Sequence, residues 1–128
     1  MRHIIIFSVF AIFLSGCSTS QSIHNVADSP VPSYIKASQN EVEKAIIKAT
    51  SIKGWTISKK ESGYIEAGIT VRGRHHAVVG IPYSDQAYSI NYVSSDNLDH
   101  KGDTIHRNYN KWVTLLDRQI QAELTKYM

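Results

Sequence analysis

Ile65-Glu66-Ala67-Gly68-Ile69-Thr70-Val71-Arg72 (residues 65–72) alternates apolar with polar or small residues without a break. Neighbouring side chains on a strand point to opposite faces, so this run reads as a strand with one face buried. Working outward, Glu61-Ser62-Gly63 is a turn and Trp55-Thr56-Ile57-Ser58 alternates before it. On the other side Gly73-Arg74 turns into a strand from His76 to Tyr83, which Pro82 closes. Ser84-Asp85-Gln86 turns again, and Tyr88, Ile90 and Tyr92 alternate with Ser89, Asn91 and Val93. Short polar turns between alternating runs predict a four-stranded antiparallel meander with one face buried.

A helix flanks the meander at each end. Ser38-Gln39-Asn40-Glu41 fits a capping box, and Val42, Ala45, Ile46, Ala49 and Ile52 follow at helical spacing until Gly54 supplies a stop. After a polar loop from Ser94 to Asp103, Ile105, Tyr109, Trp112, Val113, Leu116, Ile120, Leu124 and Tyr127 make one apolar stripe. Asp103 would cap this second helix, with Thr104 opening its first turn. The expected fold class is α+β, ordered α-β-β-β-β-α, with both helices on one face of the sheet. Residues 38–128 form a single domain in this reading.

The N-terminus declares a location. Arg2 precedes an apolar run from Ile4 to Leu14, and Leu14-Ser15-Gly16-Cys17 follows. The run is about 11 residues, against the roughly 20 that a spanning helix needs, and it has the form of a signal peptide. The four-residue motif resembles the bacterial lipoprotein signal. That resemblance implies removal of residues 1–16 and acylation of Cys17, which becomes the mature N-terminus. Each buried CH₂ contributes about 0.8 kcal/mol, so several chains hold firmly where one is marginal. Ser18, in place of the aspartate that commonly retains such proteins at the inner membrane, implies the outer membrane by the same resemblance. Residues 17–37, rich in Ser, Thr, Gln and Asn, read as the acylated cysteine and a flexible tether. Twenty such residues have a typical span of about 25 Å. The short piece from Val31 to Ile35 reads equally well as an edge segment packed on the domain.

Composition narrows the chemistry. Cys17 is the single cysteine, so acylation leaves no thiol for a disulfide, a nucleophile or a metal ligand. The net charge of +3 is a small imbalance of 14 basic over 11 acidic residues, and no dense Lys/Arg run points to nucleic acid. His75 and His76 adjoin on a strand and would face opposite ways, which argues against their sharing one ion. Asp96, Asp99 and Asp103 lack the spacing of a calcium loop and suit turns and caps. Ser94, Ser95 and His106 come without a G-x-S-x-G elbow or an oxyanion loop. No metal or cofactor is expected.

The densest polar and aromatic segment runs Tyr92-Val93-Ser94-Ser95-Asp96-Asn97-Leu98, then Ile105-His106-Arg107-Asn108-Tyr109-Asn110-Lys111-Trp112-Val113. Its Tyr-Ser-Ser, Asn-Leu and His-x-x-Tyr-Asn-x-Trp elements resemble a family of small lipoproteins of Gram-negative bacteria, over about residues 38–120. The resemblance implies class and location and brings no particular activity. The candidate binding residues are Ser95, Asn97, His106, Asn108, Tyr109 and Asn110. In one version Ser95, Asn97 and His106 tie the loop to the helix start, while Tyr109 and Trp112 are core. In the other, His106, Asn108 and Asn110 line a groove where exposed helix amides favour an anion. The expected function is an outer-membrane-anchored, non-catalytic binding or accessory module for an envelope protein or glycan. The alternative is a small hydrolase or metal-dependent enzyme centred on His106 and residues 94–103.

Overall fold

A computed structural model describes residues 18–128. Residues 1–16, read above as a signal peptide, and Cys17 lie outside the described residues. Seven strands and two helices follow in the order β1 (Ser20–Ser22), β2 (Val26–Pro30), α1 (Gln39–Ile52), β3 (Thr56–Glu61), β4 (Tyr64–Val71), β5 (His75–Pro82), β6 (Ala87–Asp96), β7 (Thr104–His106) and α2 (Arg107–Leu124). A single 3-10 turn, Thr125–Tyr127, ends the chain. Among the described residues no helix is long and apolar enough to cross a membrane.

The alternation in residues 65–72 does what the pleat requires. Across the β4–β5 ladder Ile65 faces Ile81, Ala67 faces Val79 and Ile69 faces Ala77, and all six are buried. The alternate pairs, Glu66 with Gly80, Gly68 with Val78 and Thr70 with His76, lie on the other face. Tyr88 and Ile90 extend the buried face onto β6. Against it pack Val42, Ala45, Ile46 and Ala49 of α1 and Tyr109, Val113, Leu116, Ile120 and Leu124 of α2, in one core. The two helices also touch each other. Each fully buried aliphatic side chain here contributes about 1.5–3 kcal/mol.

The expected four-stranded meander is incorrect. The strands form a five-stranded sheet in the order β2-β6-β5-β4-β3 and a separate two-stranded ribbon, β1-β7. Two of the three extra strands, β1 and β2, come from the stretch read as a tether, and β7 comes from the expected start of the second helix. β2 pairs antiparallel with β6, Val26 opposite Ile90 and Pro30 opposite Ala87, with a bulge between Val26 and Ser29. Asp28 sits there at a φ of 45° and donates its N–H to the Ser89 hydroxyl at 2.9 Å. Pro30 is tolerated because β2 is an edge strand, where its missing N–H costs no ladder bond. Beyond β2, Val31, Ile35 and Ala37 are buried in the common core. The chain then crosses through α1 to the opposite sheet edge, where β3 begins.

Two smaller expectations also change. Ile52, assigned to the buried face of the first helix, is 49% exposed in the last turn of α1. Asp103 does not cap the second helix: Thr104 and Ile105 belong to β7, and the cap is His106. The reason is the ribbon, which pairs Ser22 with Thr104 and Ser20 with His106 and so holds residues 104–106 extended. Ser38 is the α1 cap, accepting the Glu41 N–H and donating its hydroxyl to the Glu41 carboxylate, both at 3.2 Å.

Candidate functional site

The β1-β7 ribbon and the end of β6 frame the start of α2, where the candidate residues gather. Their hydrogen bonds account for most of them. Opposite Val78 and Val79 the β6 register shifts by one residue, leaving Val93 exposed. The bulge puts both Tyr92 and Ser95 on the inner face, and their hydroxyls meet at 2.8 Å. The Tyr92 ring stands edge-on to Tyr109, with centroids 5.6 Å apart, and lies 4.7 Å from the His100 ring. Tyr109 is fully buried and its hydroxyl finds no hydrogen-bond partner among the described residues. Burial pushes that phenol well up.

Asn97 adopts a left-handed φ of 56° and closes the end of the sheet. Its Nδ2 donates to the Arg74 carbonyl at 2.9 Å, and its own carbonyl lies 2.8 Å from His75 Nδ1. A carbonyl only accepts, so that His75 nitrogen carries the proton. His76, on the other face, meets the Thr70 hydroxyl at 2.9 Å instead. The two histidines therefore serve different neighbours. Among the described residues no group of three or more His, Cys, Asp or Glu is placed to hold a metal ion.

His106 caps α2. Its Nδ1 accepts the Asn108 N–H at 3.1 Å, so Nδ1 is unprotonated in this arrangement, and its own N–H donates to the Leu98 carbonyl at 2.8 Å. Asn110 spends its whole carboxamide on the N-terminal segment. Oδ1 accepts the His24 N–H at 2.9 Å, while Nδ2 donates to the Ser22 carbonyl at 2.8 Å and to Gln21 Oε1 at 3.1 Å. Asn108 alone of the six presents an exposed side chain without such a tie.

What remains open around α2 is basic. One broad, shallow concavity of about 500 Å³ is lined by Gln21, Arg107, Asn108, Asn110, Lys111 and Thr114. A smaller one of about 220 Å³ adjoins it through Asn108 and Lys111, and adds Arg72, His75 and Trp112. No carboxylate lines either. Arg72, Arg107 and Lys111 are all exposed, and among the described residues none makes a salt bridge. Sequence reasoning missed this group because its members come from the β4–β5 turn and from α2. The nearest signal was the Arg72-Gly73-Arg74 turn itself.

A second polar cluster lies between the sheet and the far part of α2. Tyr88 donates its buried hydroxyl to Asp117 at 2.5 Å, and Gln121 Nε2 donates to Tyr88 at 2.8 Å and to Ser29 at 3.0 Å. Burial, and then the Asp117 carboxylate, push the Tyr88 phenol up. These bonds fasten β2 to α2.

In comparisons with known proteins, no family model and no curated protein matches the chain.

Proposed function

We propose that the chain is a lipoprotein of the Gram-negative envelope, anchored in the outer membrane through acylated Cys17. Its α+β domain acts as a non-catalytic binding or accessory module for an envelope partner, protein or glycan. The resemblance to small lipoproteins is part of this proposal. The observation that carries it is the hydrogen-bond accounting at the start of α2. His106 spends Nδ1 on the helix cap, Asn110 its carboxamide on the N-terminal strand, and Asn97 its amide on the β4–β5 turn. A general base needs a free nitrogen within reach of a substrate proton, and the cap occupies the one that faces the helix. The open surfaces suit contact with something larger than a substrate. The outer edge of β3, which among the described residues pairs only with β4, is the one offered to a protein or glycan.

Mass spectrometry of the mature N-terminal peptide tests the anchor: diacylglyceryl mass on Cys17 is expected, and Cys17→Ser should release the protein from the membrane fraction. Crosslinking in cells from the β3 edge at Ser58 tests the module. One stoichiometric envelope partner supports it. A hydrolytic activity abolished by His106→Asn, which keeps a capping acceptor, would overturn it.

A further inference from the structure

We infer that the basic start of α2 docks on the anionic lipid headgroups of the leaflet that holds Cys17. This rests on the acylation proposed above, and adds which face of the domain meets the membrane. The argument starts from where the chain leaves the domain. The Arg107 N–H donates to the Thr19 carbonyl at 2.8 Å, and Ser20 is already paired with His106. Cys17 is therefore three residues from a strand fixed against the first turn of α2, and three residues span at most about 10 Å. An acyl anchor at Cys17 places this end of the domain, and no other, next to the headgroups.

The chemistry of that end fits the surface. Arg72, Arg107 and Lys111 project there from two elements, with no carboxylate lining the concavities between them and no ion pair among the described residues. The Debye length at physiological salt is about 8 Å, comparable to the reach of the anchor, so attraction to anionic headgroups is not screened away. Half-buried Trp112 borders the same concavity, and an amphipathic indole suits the headgroup level. Lys48 and Lys126 belong to the opposite end, Lys126 being bonded to Glu123 and Lys48 close enough to bias the same carboxylate. An 18-residue helix puts that end about 27 Å from Arg107.

The test uses the full acylated protein in vesicles of phosphatidylcholine alone or with phosphatidylglycerol. Lysine acetylation by a membrane-impermeant reagent is read residue by residue. Lys111 modification should fall about threefold or more on the anionic vesicles and recover near 1 M salt, with Lys48 and Lys126 unchanged. Arg72→Gln with Arg107→Gln, both exposed positions, should abolish the protection of Lys111 without altering circular dichroism. Equal modification of Lys111 on both vesicles, with acyl mass present on Cys17, overturns the docking and leaves the anchor intact. Absence of acyl mass removes both readings. Protection of Lys111 by soluble glycerol phosphate without vesicles would make the concavity a small-anion site and also overturn the docking.

Discussion

The carboxamide of Asn110 grips the backbone on both sides of Ile23, donating to the Ser22 carbonyl and accepting the N–H of His24. One side chain near the start of α2 thereby replaces the ladder bonds that a three-residue ribbon is too short to supply.

Replacing Asn110 with Leu should cost about 2 kcal/mol, because it orphans main-chain groups that it now satisfies. The loss should be local first. Amide hydrogen exchange at Ile23 and His24 is expected to accelerate well before that of β4 and β5. Uniform acceleration across the sheet would show that the ribbon has no independent opening.

The His106 cap predicts an order among substitutions. His106→Ala removes the acceptor for the Asn108 N–H and should cost about 1 kcal/mol, while His106→Asn and His106→Asp supply a shorter acceptor and recover most of it. Urea midpoints at neutral pH decide the order. Equal losses for all three variants would mean that packing of the ring, rather than capping, matters.

Glu123 is buried and accepts from Lys126 Nζ at 2.7 Å and from Gln119 Nε2 at 3.0 Å. The Lys126 bond, outweighing desolvation, holds its carboxyl below the ordinary value. A carboxyl depressed in the folded state stabilises the fold above its unfolded pKa and loses that stability as pH falls through the folded one. Wild type should therefore lose stability between pH 7 and pH 3, and Glu123→Gln should lose less. Chemical denaturation at the two pH values measures the difference, and identical losses would refute the assignment. Glu43 acts in the same direction through the hydroxyl of Tyr83, with Lys60 beside it at 3.3 Å.

Gly80 is required by a neighbour rather than by its own backbone. A Cβ there would lie 2.5 Å from the Tyr64 hydroxyl and 3.1 Å from its ring carbons, and the ring would have to leave Glu66, which it bonds at 2.9 Å. Gly80→Ala is expected to destabilise by about 1 kcal/mol in wild type and by much less in a Tyr64→Ala background. A double-mutant cycle with no coupling would place the cost elsewhere.

These features show what the sequence made legible. β4 is long and buried on one face, so its alternation is unbroken, and the Ser38–Glu41 cap marks α1 without ambiguity. β2 hid because Val26 is its one buried residue and a bulge breaks its register, leaving no period to read. β1 and β7 are too short to have a period at all. The cap of α2 was misplaced because Asp103-Thr104 carries the commoner signal, and what overrides it is pairing with a strand far upstream. At the site, the polar density of residues 92–113 was visible, but its use in tying chain segments together was not. The grouping of Arg72 with Lys111 depends wholly on the tertiary fold.

The ladder order also dictates a sequence of events. β1 waits for β7 and β2 waits for β6, so among the described residues the first two strands find their partners only after β3, β4 and β5 have been made. Such long-range closure is slow compared with a hairpin. Until β6 is complete at Asp96 the β3–β5 hairpins stand with an open edge, and until β7 follows residues 20–22 have no ladder partner. Formation of the β1-β7 ribbon is thus a completion step, one that reports that every other described strand has been made.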